Sequence, residues 1–257
     1  MNRRRAGMRV LVGAILFLLI SWEGWATERL QKEAPDGMTL VGELHLPPGN
    51  PEGATVQKAP LLVLLHMRSG DRGDWKGLIP RLVKAGYAVF AIDLRGHGES
   101  ILRHGAKVSF RGFSHKEYAK MPGDLGLMLQ APAPFQDRVD LEKVGVIGAS
   151  IGANVALVAA AQHRQIKALV LLSPGLDYWR IRTEEAMLDY GERPVLILCG
   201  EADVYAASSS RLLFALAKGP RNLTLFPTSA HGTNLLRATP GVEGHLLEWL
   251  AKHFPAR

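Results

Sequence analysis

The sequence of 257 residues contains a single cysteine, Cys199, so the chain cannot form an internal disulfide bond. Cys199 directly follows the apolar run Val195–Leu198, a position that favours a buried, unreactive thiol over a nucleophile. Internal repeats, low-complexity segments and a linker to a second domain are also lacking. A chain of this length can fold as one α/β domain, and we expect one domain over residues 27–257.

Outside the N-terminal segment, basic runs and alternating basic and aromatic residues are absent as well, although the formal net charge is +7. Part of that charge lies at the N-terminus, where four arginines stand against a single acid, Glu23. The other basic residues are scattered, so the sequence does not favour nucleic-acid binding and predicts a mildly positive, solvated surface.

The first 26 residues have the pattern of an export signal. The arginine cluster Arg3–Arg5, followed by Arg9, precedes the apolar run Val10–Ile20, whose eleven residues fall short of the roughly 20 that a membrane-spanning helix needs. Gly24-Trp25-Ala26 supplies the small residues that a signal peptidase requires. We therefore expect cleavage after Ala26, a periplasmic or secreted protein and no stable membrane insertion; an uncleaved anchor is the alternative.

After residue 27, short apolar runs alternate with helical stretches. Continuous apolar strands separated by helices predict a mostly parallel central sheet with helices on both faces. The predicted strands are Leu61–His66, Tyr87–Asp93, Val144–Ile147, Ile166–Leu172, Val195–Leu198 and Leu223–Phe226. The predicted helices are Trp75–Gly86, His115–Leu129, Gly152–Ala161, Ala206–Lys218 and Leu246–Phe254. Thr39–Leu46 alternates apolar residues, so an antiparallel strand is expected there, at one edge of the sheet.

A nucleophile motif lies between one such strand and the helix that follows it. Gly148-Ala149-Ser150-Ile151-Gly152 has the form G-x-S-x-G. A serine in a tight strand-to-helix turn exposes its hydroxyl and tolerates only small neighbours. The N-terminus of the helix adds N–H groups and a partial positive charge beside it. Ser150 is therefore the candidate nucleophile.

A serine hydroxyl needs a base, and the base needs a carboxylate that orients it. The expected chain order is serine, acid, histidine, and Asp203 and His231 each follow a predicted strand in that order. Glu201 is the competing acid, and Asp203 could instead cap the next helix. The other histidines that we considered, His163, His245 and His253, lie on or beside helices and fit less well.

With these motifs in place, the sequence resembles the α/β-hydrolase superfamily from about Thr39 to the C-terminus. Four segments carry the resemblance in order: His66–Gly70, Asp93–Ser100, the turn around Ser150, and Gly200–Asp203 with His231-Gly232. The compact size resembles small serine carboxylesterases and dienelactone-hydrolase-like proteins. Dienelactone hydrolases have a cysteine as nucleophile, so Ser150 favours the esterase group.

The resemblance also implies an oxyanion hole made of two backbone N–H groups. One would belong to Ile151, after the nucleophile, and the other to Met67, where many members have glycine. His66 is expected to brace this loop, and Asp93 with the loop Arg95–Ser100 is expected to be structural.

Together these residues predict hydrolysis of a small-molecule carboxylic ester through an acyl-enzyme, with no metal or organic cofactor. Amide or peptide hydrolysis and perhydrolysis require the same triad and stay open, as does a non-catalytic binding protein on this scaffold. Only 22 residues, Ser173–Pro194, connect two predicted strands where many lipases carry a lid. They have room for one short polar helix around Thr183–Tyr190, so we expect no large lid.

Overall fold

The computed structural model of the protein describes residues 19–20, 25–48 and 57–256. The expected export signal, residues 1–26, lies outside the described residues except for positions 19, 20, 25 and 26. Cleavage and export therefore stay predictions.

Strands form at all six predicted apolar runs, together with the antiparallel strands near the N-terminus and several short pairs in the loops. Their bounds are β1 Leu19–Ile20, β2 Ala26–Glu33, β3 Met38–Leu46, β4 Ala59–Leu65, β5 Ala88–Asp93, β6 Leu102–Arg103, β7 Ala106–Lys107, β8 Val139–Ala149, β9 Ile166–Leu172, β10 Asp177–Tyr178, β11 Ile181–Arg182, β12 Val195–Gly200 and β13 Arg221–Phe226.

One mostly parallel sheet has the strand order β1-β2-β3-β5-β4-β8-β9-β12-β13; β6 pairs with β3, and β7 pairs with β6. β10 and β11 form a separate two-stranded sheet. In the larger sheet, the strands from β5 to β13 in this order pair in parallel. β4, β5 and β12 are buried along their whole length, as strands covered on both faces must be. The predicted fold class is confirmed.

The expectation that Thr39–Leu46 lies at the sheet edge is wrong. β3 is antiparallel, as expected, but it lies between β5 and β2. β2 reads Ala-Thr-Glu-Arg-Leu-Gln-Lys-Glu and has exposed or partly exposed residues at most positions. Beyond its pairing with the two-residue β1 at Ala26 and Thr27, β2 has an open outer side among the described residues, where charged side chains are typical. This charged run gave no apolar signal in the sequence.

Helices cover both faces of the sheet: α1 Ile79–Lys84, α2 His115–Tyr118, α3 Met121–Met128, α4 Ile151–Gln162, α5 Glu184–Tyr190, α6 Val204–Leu216, α7 Asn234–Ala238 and α8 Val242–His253. The expected helix His115–Leu129 is broken into α2 and α3 next to Pro122, which occupies the first turn of α3. The expected helix Trp75–Gly86 forms as a 3-10 turn, Arg72–Trp75, followed by α1. α7 has no counterpart among the predicted elements.

Two buried apolar clusters lie on the two faces of the sheet. One packs α3, α4 and α5 against the sheet, and the other packs α1, α7 and α8 against its opposite face. In the described part of the chain, no helix combines the length and apolar character needed to cross a bilayer.

Candidate active site

Ser150 occupies a strained turn between β8 and α4. Its φ of +54° and ψ of −120° lie outside the regions that non-glycine residues favour, and such a conformation costs about 1–3 kcal/mol. The side chain is nearly buried, at 7% exposure. A Cβ on Gly148 would lie 2.4 Å from the carbonyl oxygen of Gly152. The turn therefore requires glycine at this position, as the sequence motif predicts.

Ser150, His231 and Asp203 form one hydrogen-bonded chain. The Ser150 Oγ lies 2.7 Å from His231 Nε2, and the Asp203 Oδ2 lies 2.6 Å from His231 Nδ1. These partners assign the roles in the resting state: Nδ1–H donates to the carboxylate, and the free Nε2 accepts from the serine hydroxyl. This is the arrangement that lets a histidine take a proton from serine.

Asp203 and Glu201, the two candidate acids, make different contacts. Asp203 does stand at the N-cap of α6, but its side chain makes no capping hydrogen bond and is directed to His231 instead. Glu201 is exposed and lies 3.6 Å from Arg211 in an ion pair. Of the two carboxylates, only Asp203 contacts the histidine.

Close backbone contacts hold the acid and histidine loops together. A Cβ on Gly200, at the end of β12, would lie 2.5 Å from the carbonyl oxygen of Thr228. Beside His231, the Gly232 N–H donates to Ser173 Oγ at 3.1 Å, and Thr233 Oγ1 donates to an Asp74 oxygen at 2.9 Å. The imidazole is thus carried by a loop that is fixed on both of its sides.

Met67 and Ile151, the expected oxyanion donors, belong to segments that meet at the elbow. A Cβ on Gly152 would lie 2.5 Å from the carbonyl oxygen of Leu65 and 2.6 Å from that of His66, so α4 begins directly against this loop. Within the described residues, the N–H groups of Met67 and Ile151 donate to no protein acceptor. The space beside Gly232 is bordered by the Met67 side chain and by Ser150 Cβ. Both donors are therefore free to bind an oxyanion.

His66 braces the loop from a fully buried position, as expected. Its Nδ1–H donates to the Met67 carbonyl at 2.7 Å, and its Nε2 accepts the Leu94 N–H at 3.0 Å. Burial, with a smaller contribution from His97, lowers the pKa of His66 to about 3. The ring is therefore neutral at physiological pH and ties the Met67 loop to the end of β5.

Asp93 and the loop after it are structural, as expected. The Asp93 carboxylate is fully buried and accepts the N–H groups of Arg72 and Glu99 at 2.8 and 2.9 Å. Arg95 is 2% exposed and binds both oxygens of Asp124, at 2.5 and 2.6 Å. Asp124 lies on α3, so this pair anchors the α2–α3 segment beneath the site.

A hairpin made of β10 and β11 borders the triad. Its turn residues, Trp179 and Arg180, have φ of +56° and +68°, which is the type I′ geometry that normally selects glycine or asparagine. The buried Asn154 of α4 fixes the hairpin by bonding the Ile181 carbonyl and the Gly175 N–H, at 2.8 and 3.0 Å. The strained turn is thus held over the site by the elbow helix.

Aromatic rings extend from this hairpin across the site. The Tyr178 ring lies edge-on to the His231 ring, with 6.1 Å between centroids. Burial, and then the charge of Asp203, raise the pKa of Tyr178. Trp179 stacks on Tyr118 with centroids 4.7 Å apart, and the Arg68 Cζ lies 4.3 Å from the Trp179 centroid.

Sequence reasoning missed these residues as part of the site. Tyr118, Trp179 and Arg68 are far apart in sequence, and Trp179 occupies a turn without any of the usual turn residues. The one usable signal was the position of Arg68, directly after the expected oxyanion donor.

Neither a metal site nor a second cavity extends the candidate site in the described part of the chain. Among the described residues, no group of three or more metal-ligating side chains is arranged to hold an ion. A cavity of about 730 Å³ is lined by β2, β3, β5, α1 and the Arg72 loop, and none of the triad residues lines it. Within the described residues, Ser150, His231 and Asp203 bring a hydroxyl, an imidazole and a carboxylate together beside the unpaired N–H groups of Met67 and Ile151.

Three features together indicate a known class of fold: the strand order of the sheet, the serine turn after β8, and the Asp203 and His231 loops that follow β12 and β13. The sequence model of the α/β hydrolase fold matches residues 60–196, more than half of the chain. The chain belongs to this family. No curated protein sequence matches it significantly.

Solved structures share the fold at low sequence identity. An acetyl xylan esterase from Paenibacillus sp. R4 aligns with a TM-score of 0.74 and 16% identity over 93% of this chain and 88% of its own. Est1E from Butyrivibrio proteoclasticus, determined with ferulic acid bound, aligns with a TM-score of 0.66 and 22% identity over 86% and 98%. A dienelactone hydrolase from Anabaena variabilis aligns with a TM-score of 0.60 and 19% identity over 90% and 97%.

Proposed function

We propose that the protein is a serine hydrolase that cleaves carboxylic esters through an acyl-enzyme intermediate. One observation carries the proposal: the Ser150 hydroxyl, in a strained elbow, is 2.7 Å from a histidine nitrogen whose partner nitrogen is 2.6 Å from Asp203. A serine with only a structural role would need neither the strained backbone at Ser150 nor the chain of hydrogen bonds through His231 to Asp203. Esterase-named neighbours such as the acetyl xylan esterase support the reaction class by analogy of fold.

The mechanism follows from the contacts. Ser150 Oγ attacks the ester carbonyl carbon while His231 Nε2 takes its proton, and Asp203 stabilises the imidazolium. The Met67 and Ile151 N–H groups bind the developing oxyanion, each worth about 3–4 kcal/mol in comparable sites. His231 returns the proton to the leaving alkoxide, and the alcohol departs. Water, activated by the same histidine, then releases the acid and regenerates the serine.

An active-site-directed fluorophosphonate tests the nucleophile. We expect the wild-type protein to be labelled in a 1:1 ratio and Ser150→Ala to remain unlabelled. Ser208→Ala, an exposed serine on α6, is the matched control and should label like the wild type. Absence of wild-type labelling by a correctly folded protein would favour a binding protein instead.

A panel of matched acyl substrates tests the bond. Short-chain esters, amides and peptides of the same acyl groups are compared by kcat/KM, with a perhydrolysis assay in hydrogen peroxide. We expect the esters to react fastest. Faster cleavage of amides or peptides, or a dominant perhydrolase activity, would contradict the ester assignment while leaving the serine mechanism intact.

A further inference from the structure

Arg68 is a cation beside the candidate active site that has no acidic partner. Its Nε donates to the Tyr118 hydroxyl at 2.8 Å. No carboxylate lies within 4.0 Å of its guanidinium among the residues that the structure describes. Three other arginines of the same region, Arg72, Arg95 and Arg103, all have carboxylate partners. Among the described residues, Arg68 therefore differs from these three arginines in having no carboxylate partner.

The guanidinium is held in place although it lacks a counter-ion. Its Cζ lies 4.3 Å from the ring centroid of Trp179, 5.1 Å from that of Phe110 and 5.8 Å from that of Tyr118. Such cation–π contacts and the single Nε bond fix the orientation of the planar group. The terminal nitrogens, Nη1 and Nη2, have no protein acceptor among the described residues, and neither is a buried unsatisfied atom. They remain open to solvent.

Arg68 and its aromatic partner Trp179 each directly follow a residue that contacts the candidate site. Arg68 directly follows Met67, whose side chain borders the space next to Ser150. Its aromatic partner Trp179 directly follows Tyr178, whose ring packs edge-on against His231. The Arg68–Trp179 contact thus joins the oxyanion loop to the hairpin on the histidine side.

From these contacts we propose that Arg68 binds a carboxylate of the substrate, so that the preferred substrates are esters that carry a free carboxylate besides the scissile bond. A guanidinium with two free terminal nitrogens matches the geometry of a carboxylate. The strained turn at Trp179 and Arg180 places the indole ring against the guanidinium, which gives the strain a role in substrate binding. The inference rests on the proposed ester hydrolysis and specifies its substrate class.

Two pairs of probes test the preference on either side of the ester. 4-Nitrophenyl hydrogen succinate is compared with neutral 4-nitrophenyl butyrate, and 4-acetoxybenzoate is compared with 4-acetoxybenzamide. We expect wild-type kcat/KM to favour the anionic member of at least one pair. In Arg68→Gln that ratio of anionic to neutral kcat/KM should fall about tenfold or more, the effect of losing a charge-assisted hydrogen bond. In the wild type, added salt should reduce the ratio.

The controls separate charge recognition from loop damage. Arg111→Gln removes an exposed arginine that lies 5.6 Å over the same Phe110 ring, and it should keep the wild-type ratio. Arg68→Lys keeps the charge without the planar fork and should give an intermediate ratio. A wild type with no anionic preference, or an Arg68→Gln variant that slows both members of each pair equally, would overturn the inference.

Failure of the inference and failure of the proposed function give different results. If neutral esters are cleaved and the fluorophosphonate labels Ser150 but the ratio is flat, only the role of Arg68 is wrong. If neither hydrolysis nor labelling occurs, the proposed function fails. In that case binding of succinate to the folded protein, lost in Arg68→Gln, would still support the anion site.

Discussion

Asp203 occupies the N-cap position of α6 and directs its carboxylate away from the helix, with Oδ2 2.6 Å from His231 Nδ1. A capping aspartate accepts the N–H groups of the first helical turn, and this one does not. α6 therefore lacks a side-chain cap, and the Asp203 carboxylate contacts the His231 ring instead. The same residue could be interpreted from sequence as either cap or acid, and the contact distinguishes the two.

Replacing this acid is the first prediction. Asp203→Asn should lower kcat by about 10³–10⁴-fold, because the amide stabilises the wrong imidazole tautomer. Glu201→Gln is the matched control, since Glu201 is exposed and pairs with Arg211, and it should change kcat by less than about threefold. Ester hydrolysis under saturating substrate measures both. If Glu201→Gln were the damaging change, the acid would have been assigned to the wrong residue.

The second prediction concerns Gly152, where an added Cβ would lie 2.5–2.6 Å from the Leu65 and His66 carbonyl oxygens. Gly152→Ala should push the oxyanion loop away from the elbow and lower kcat by at least about tenfold, since catalysis depends on sub-ångström placement of the donors. Thermal unfolding should show a lower Tm as well.

Gly123→Ala on α3 is its control, because a Cβ there meets no atom within 4 Å. Alanine in a helix is more favourable than glycine by about 0.5–1 kcal/mol, so this variant should keep its activity and unfold at an equal or higher Tm. Equal kinetics for the two variants would show that the close approach at Gly152 does not position the donors.

The third prediction is a pH dependence of stability. Burial lowers the pKa of His66 from 6.5 to about 3 in the folded protein. Between these two values the unfolded chain binds a proton that the folded chain excludes, so acid favours unfolding. The contribution is fully present above about pH 6.5 and decreases by about 1.4 kcal/mol per pH unit as the pH falls toward 3.

Urea unfolding at several pH values between about 4.5 and 7 measures this slope. His66→Gln, whose amide can replace both hydrogen bonds, should make the slope less steep, while His45 and His97, whose pKa values burial also lowers, keep part of it. The exposed His115→Gln should leave the slope unchanged. Above pH 4.5 the ion-paired Glu99 and Glu117, whose pKa values are lowered, add little slope. An unchanged slope in His66→Gln would mean that the ring is not held neutral.

The fourth prediction is cleavage of the N-terminal segment after Ala26. Thr27–Glu33 would keep its antiparallel register with Thr39–His45, since those pairs all lie beyond the cut. N-terminal sequencing of protein recovered from outside the cytoplasm should give Thr27 as the first residue. A chain that begins with Met1 and stays with the membrane fraction would indicate an anchor.

How much the sequence predicts depends on how locally each feature is encoded. The buried strands Ile166–Leu172 and Val195–Leu198 and the elbow at Ser150 follow from apolar runs and a short motif, and the structure has them in those places. β2 was missed because most of its residues are polar or charged, so it lacks the apolar run from which the other strands were predicted. The contact of Arg68 with Trp179 joins residues more than 100 positions apart, and no local pattern encodes it.

The last prediction is that the enzyme prefers short, soluble substrates and shows no interfacial activation. The connection Ser173–Pro194 forms the β10–β11 hairpin and the short helix α5, and nothing larger. α5 buries Ala186, Met187 and Tyr190 against the body, and its exposed side carries Glu184, Glu185 and Asp189 with one apolar residue, Leu188. A lipase lid needs an apolar underside that opens toward lipid, whereas the apolar side of α5 is already part of the core.

Rates of 4-nitrophenyl ester hydrolysis, measured from acetate to palmitate, test this directly. We expect kcat/KM to be highest for acyl chains of about two to six carbons, because α5 offers no mobile apolar surface to longer ones. Tributyrin measured below and above its solubility limit should give one continuous saturation curve. A preference for long chains, or a jump in rate when the emulsion forms, would show that this part of the fold opens to lipid after all.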